Sequence, residues 1–147
     1  LARALPEDGY ILTIEGRDTH AAMGLENIDK AQLKQTIELK CGRAADILKS
    51  LPADIEPFDF IFIDADKQSY PEYLELSLNL SHSGTLIFLD NVIRAGDIIN
   101  PENHKPSIEG IRDMFKAMQN HPKILSCTAL QTVGSKGHDG FALAIVK

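Results

Sequence analysis

Apolar and polar positions along the chain predict short strands alternating with helices. Pro6-Glu7-Asp8-Gly9 signals a turn, and the run Tyr10-Ile11-Leu12-Thr13-Ile14 predicts a strand ending at Glu15. Residues 18–33 carry Ala, Met, Leu and Ile at mostly helical spacing, with Asp18 placed to cap the helix. Thr36 to Cys41 reads as a second strand closed by Gly42, and Ala44 to Leu51 as a short amphipathic helix before Pro52. Phe58 to Ile63 is a third strand, stopping at Asp64. In residues 70–80, leucine at every second position fits a strand as well as a helix; the excess of Glu, Leu and Ser over β-branched residues favours helix.

Ser83-Gly84 predicts a turn before a fourth strand, Thr85 to Leu89, which stops at Asp90. A polar loop follows from Arg94 to Pro106. Ser107 to Gln119 is a helix with Ile108, Ile111, Met114, Phe115 and Met118 on one face. The chain closes with strands at 124–133 and 141–146 around a glycine-rich segment at 134–140. Strands alternating with helices predict a mostly parallel α/β sheet covered on both faces. The last two strands lack an intervening helix and should form an antiparallel edge hairpin. One domain over 1–147 accounts for the whole pattern. Leu1 to Leu5 reads as the last turn of a helix, so the chain begins in mid-element.

Composition narrows the function. The 147 residues are 44% hydrophobic with a net charge of -6, enough for a core. The 15 basic residues form no run, which argues against nucleic acid and for a small-molecule or protein partner. Cys41 and Cys127 make no CxxC motif, so a reducing cytoplasm is expected. No apolar run approaches the ~20 residues that span a bilayer, and no signal-peptide layout is present. His20, His82, His104, His121 and His138 lack metal-ligand spacing and read as surface residues, and no GxSxG supports a hydrolase.

In open parallel sheets, ligands bind beyond the carboxyl ends of the strands. The strand ends here are Glu15, Gly42, Asp64 and Asp90-Asn91. If the strands ending at Asp64 and Asp90 are neighbours, about 4.8 Å separates them. Two carboxylates that close repel unless a cation lies between them. With the Asn91 amide oxygen they make three hard oxygen donors, suited to Mg²⁺, Ca²⁺ or Mn²⁺ rather than zinc. Taken singly, strand-end Asp residues are turn formers and helix caps. Lys67 can reach over such a metal as a base, although a solvated surface lysine is its plainer reading. Glu15 suits the two hydroxyls of a ribose, and Gly42-Arg43-Ala44-Ala45 leaves room for a flat adenine; plain turns explain both as well.

Phe58 to Ile63 with Asp64-Ala65-Asp66-Lys67 and Tyr70-Pro71-Glu72-Tyr73 resembles the cation-dependent O-methyltransferases related to the caffeoyl-CoA and catechol enzymes, including their bacterial members. The resemblance extends over Leu5-Pro6-Glu7-Asp8-Gly9 with Ile14-Glu15, Gly84 to Ile87 with Asp90-Asn91-Val92, and Asp139 to Ala144. It implies a Rossmann-like sheet that binds S-adenosylmethionine and a divalent cation, usually Mg²⁺, that holds two vicinal hydroxyls of a catechol-like substrate. By resemblance Asp64, Asp90 and Asn91 are metal ligands, and Lys67, beside Asp64, is catalytic. Glu15 meets the cofactor ribose, and Gly42, Ala44, Asp66 and Tyr73 line the cofactor site. The family's first strand, a glycine-rich turn, and N-terminal helices that cover the substrate and build a homodimer all precede the position of Leu1. Two other readings compete: a non-catalytic truncated α/β domain, and a metal-binding receiver-like signalling module. A receiver would carry its lysine after a later strand, whereas Lys67 shares a loop with Asp64. A nicotinamide-dependent dehydrogenase lacks its GxGxxG.

Overall fold

The computed structural model describes residues 1–135 and 137–147, in two compact units, Leu1–Ala53 and Asp54–Lys147. In the first unit, a 3-10 turn at Ala2–Ala4 precedes β1 (Ile11–Glu15), α1 (Asp18–Lys30), β2 (Ile37–Cys41) and α2 (Ala44–Ser50). A helical crossover lets β1 and β2 pair in parallel, from Ile11 opposite Ile37 to Glu15 opposite Cys41. Two expectations are corrected. The N-cap of α1 is Arg17, in extended conformation, and Asp18 is the first helical residue. The helix also ends at Lys30 rather than 33, because Gln32 turns the chain at φ 58° and the Leu33 carbonyl takes the Thr36 and Ile37 N–H groups.

The second unit contains β3 (Phe58–Ile63), a 3-10 turn at Lys67–Ser69, α3 (Tyr70–Asn79), β4 (Ser81–Asp90), a 3-10 stretch at Arg94–Ile99, α4 (Pro106–Gln119), β5 (Ile124–Gly134) and β6 (Gly137–Val146). Its sheet has the order β3-β4-β6-β5, with β3 and β4 parallel and β6 antiparallel to both its neighbours. The 70–80 segment is a helix: Tyr70, Tyr73, Leu74, Ser77 and Leu78 are buried at helical spacing, which the leucine alternation concealed. In α4, Ile108, Gly110, Ile111, Met114 and Met118 are buried, whereas Phe115 is only half-buried. Thr85, Ile87 and Leu89 of β4 and Ala142, Ala144 and Val146 of β6 complete this core. Burial of each large aliphatic side chain stabilises the unit by roughly 1.5–3 kcal/mol.

Strands extend into two segments expected to lie outside them. β4 starts at Ser81, and the Ser83-Gly84 turn becomes an irregularity in which the register jumps from Phe58–Ser81 to Phe60–Leu86. Gly84 has φ +92°, and the Thr85 hydroxyl bridges the gap by donating to the Phe58 carbonyl at 2.6 Å. Of the glycine-rich segment expected between the last two strands, Gly134 and residues 137–140 extend the hairpin, with Gly134 opposite Gly137 and Gln131 opposite Gly140; Lys136 lies outside the described residues. The 94–106 loop gains its 3-10 stretch from Arg112, whose guanidinium donates to the carbonyls of Ile98 at 2.9 Å and Asn103 at 2.8 Å. Among the described residues, no helix is long and apolar enough to cross a membrane.

Candidate active site

In the second unit the chemistry gathers where β3 and β4 end. The last paired residues are Ile63 and Leu89, so Asp64 and Asp90 follow at the same level of two adjacent parallel strands. The spacing between such strands is about 4.8 Å. The chain turns at once after Asp90: Asn91 takes φ 55°, a left-handed conformation that Asn tolerates better than most residues, and its N–H donates to the Asp90 Oδ1 at 2.8 Å. This turn is held from β6. The Asp139 Oδ1 accepts the N–H groups of Ile93 at 3.1 Å, Arg94 at 3.0 Å and Gly140 at 2.9 Å. The Val92 N–H donates to the Gly140 carbonyl at 3.0 Å.

The turn after Asp64 brings back Lys67, which is only 9% exposed. Its Nζ donates to the Asp64 Oδ1 at 2.8 Å and lies 4.9 Å from the centre of the Tyr70 ring. A solvated surface lysine is thereby excluded. Lys67 can sit this deep because α4 passes over its turn at a glycine. A Cβ on Gly110 would meet the Lys67 carbonyl oxygen at 2.3 Å and the Gln68 Cα at 2.6 Å. Beneath the lysine, the fully buried Tyr70 directs its hydroxyl to the carbonyls of Asp90 at 2.7 Å and Ile63 at 3.2 Å. Burial, followed by the negative charges of Asp64 and Asp90, pushes the Tyr70 phenol far above its ordinary range, so it is a permanent donor.

Asp66 accepts hydrogen bonds from the Ser69 hydroxyl and, at 2.7 Å, from the Tyr73 hydroxyl. Burial opposes its ionisation, but these donors and the backbone N–H groups of Asp66 and Ser69 outweigh that and hold the carboxyl below the usual range. Asp66 and Tyr73 are therefore joined in one fixed array.

In the first unit, the ends of β1 and β2 bring Glu15 and Gly42 together. The Gly42 N–H donates to the Glu15 carbonyl at 3.0 Å, and Gly42 has φ +147°, a conformation rare outside glycine. The Glu15 carboxylate accepts the Arg17 N–H at 3.0 Å and lies 3.8 Å from the His20 Nδ1. Ala44 opens α2 two residues after Gly42.

No group of three or more His, Cys, Asp and Glu able to hold a metal occurs among the described residues. The Asp64, Asp90 and Asn91 set differs in kind, being two carboxylates and an amide. These donors fit a hard divalent cation, since all three are oxygens and the two acids share one end of the sheet. The histidines stay outside it. His121, expected at the surface, has a side chain only 14% exposed and faces Glu75 at 3.3 Å. The contacts that Tyr70 and Asp139 make to the ends of β3 and β4 were not visible in the sequence. Both residues stand in the motifs that carry the resemblance, but the bonds from Tyr70 to Asp90 and from Asp139 to Ile93 cross 20 and 46 residues.

A family model described as O-methyltransferase matches residues 1–144. The chain belongs to the O-methyltransferase family. A catechol O-methyltransferase of Niastella koreensis is 46% identical over 148 residues, covering 100% of this chain and 66% of that protein. The O-methyltransferase of Bacillus cereus, solved in complex with SAH, superposes with a TM-score of 0.95 at 46% identity, over 99% of this chain and 66% of that one. TomG of Streptomyces achromogenes, solved with SAM and involved in tomaymycin synthesis, superposes with a TM-score of 0.94 at 37% identity, over 99% and 66% of the two chains. The fold is therefore the Rossmann-like α/β methyltransferase fold anticipated from the motifs. The chain spans 66% of the length of the Niastella koreensis enzyme and 65% of that of a catechol O-methyltransferase of Mycobacterium tuberculosis, to which it is 38% identical.

Proposed function

We propose that the protein to which this chain belongs is an O-methyltransferase that moves a methyl group from S-adenosylmethionine to a hydroxyl of a catechol-like aromatic, with a divalent cation held by Asp64, Asp90 and Asn91. The observation that carries this reading is the pair of acids at adjacent strand ends, one of them bonded to the buried Lys67. When bound, Mg²⁺ (or Mn²⁺ or Ca²⁺) would acidify a substrate hydroxyl and S-adenosylmethionine would supply the methyl group. Lys67 holds its Nζ beside Asp64; as the neutral amine it would take the proton released by the substrate hydroxyl and become the ammonium paired with Asp64. Asp64 fixes that nitrogen, and the Tyr70 ring below confines its approach.

For the cofactor, Glu15 is the acceptor for the ribose hydroxyls, and Gly42 with Ala44 gives the adenine close backbone and a small side chain. Asp66 and Tyr73 are the cofactor contacts in the second unit, already fixed by their mutual hydrogen bond. A cytoplasmic homodimer agrees with the family resemblance, and free Cys41 and Cys127 suit a reducing compartment.

The test incubates the full-length protein with S-adenosylmethionine, catechol and Mg²⁺ and follows products by mass spectrometry. A singly methylated catechol with S-adenosylhomocysteine, lost on chelation, is the expected result. Absence of methyl transfer to catechol and to caffeoyl esters alike overturns the reading.

A further inference from the structure

The two acids at the strand ends belong to different strands, so their separation depends on what ties those ends together. Beyond Ile63 and Leu89 the parallel pairing has stopped. There the hydroxyl of Tyr70 spans both strands, lying 2.7 Å from the Asp90 carbonyl and 3.2 Å from that of Ile63, the residue before Asp64. A phenol has one hydrogen. It is shared between two carbonyls, with the shorter contact going to the carbonyl of Asp90 itself. The ring of the same residue lies 4.9 Å from the Lys67 Nζ. Tyr70 is 0% exposed, at the first position of α3, so its own place is fixed by packing.

We propose that Tyr70 is the positioning residue of this centre: its hydroxyl sets the spacing of Asp64 and Asp90, and its ring sets the height of Lys67. The proposal rests on the cation reading given above. Tyr70 touches neither cation nor substrate in this role; it acts through the backbone of one metal ligand and of the residue preceding another. Partners of this kind, one step removed from the metal, change affinity roughly 10- to 100-fold when lost.

The experiment measures Mn²⁺ binding by electron paramagnetic resonance, and S-adenosylmethionine binding by calorimetry, on the full-length protein. Wild type, Tyr70→Phe, Tyr73→Phe and Asp90→Asn are compared. Tyr70→Phe keeps the buried ring and is expected to weaken Mn²⁺ about 10-fold or more while leaving S-adenosylmethionine affinity within about two-fold. Tyr73→Phe, which loses its bond to Asp66, is expected to do the reverse. 4-Aminophenylalanine at position 70 restores a donor and should restore Mn²⁺ affinity. Should Tyr70→Phe not fold, 4-fluorophenylalanine at position 70, of similar shape but unable to donate, replaces it. Unchanged Mn²⁺ affinity in the folded Tyr70 variants, with affinity lost in Asp90→Asn, overturns the role of Tyr70. Equal Mn²⁺ binding by wild type and Asp90→Asn overturns the cation reading itself, and this proposal with it.

Discussion

The ammonium of Lys67 lies 2.8 Å from the Asp64 Oδ1 while its side chain is almost wholly inside the protein. Nearly all of its alkyl stem is packed, so the nitrogen has little freedom to leave the carboxylate. A flexible surface ion pair contributes little, whereas a held one defines a position. Lys67→Met keeps the stem and removes the proton carrier. It is expected to lower kcat for methyl transfer about 10²-fold or more, the usual worth of a placed acid–base group. S-adenosylmethionine affinity, measured by calorimetry, should stay close to wild type.

Asp139 collects three N–H groups on one oxygen, two of them from the turn that follows Asn91. Asp139→Ala leaves these donors to find water or go unpaired, at roughly 1–3 kcal/mol. Urea unfolding should register that loss. The same variant should need more Mg²⁺ for half-maximal activity, because the Asn91 turn is no longer pinned. Asp139→Asn retains an acceptor oxygen and should fall between.

Gly110 is needed for close approach rather than for a special φ. With its Cβ only 2.3 Å from the Lys67 carbonyl oxygen, Gly110→Ala forces α4 away from the turn that carries the lysine. Overpacking of this kind costs about 1–3 kcal/mol, and a lower thermal midpoint with reduced kcat is the expected outcome.

Asp139 and Gly110 mark where sequence reasoning stopped, whereas Lys67 was already named beside Asp64. The strands and their terminal acids were legible because each is a local event: Phe60 to Ile63 is an unbroken apolar run, and Asp64 ends it. The pairing of β3 with β4 entered the sequence reading only as a condition, and the parallel ladder from Phe60–Leu86 to Ile63–Leu89 meets it. The antiparallel edge hairpin was anticipated, but its extension to Gly134 and Gly137 was hidden, because those glycines read as a turn segment. The contacts from Tyr70 to Asp90 and from Asp139 to Ile93 cross 20 and 46 residues, beyond any periodicity. Asp18 was misplaced by one residue because an acidic side chain serves both the cap and the first turn of a helix.

The irregular start of β4 contains a titrating pair. The His82 Nδ1 meets the Ser83 carbonyl at 2.7 Å and its Nε2 meets Asp59 at 3.0 Å; together these raise the imidazole above its ordinary value of 6.5. A raised folded value means the stabilisation is fully present below 6.5 and is lost as pH rises through the folded value. NMR titration of the His82 ring should give a value above 6.5 in wild type, and Asp59→Asn should lower it.

The central claim is that Asp64, Asp90 and Asn91 together hold a divalent cation, and direct Mn²⁺ titration of the full-length protein tests it most simply. One bound ion per chain, displaced by Mg²⁺ and lost in both Asp64→Asn and Asp90→Asn, is the predicted result. Undiminished binding in both variants would contradict it.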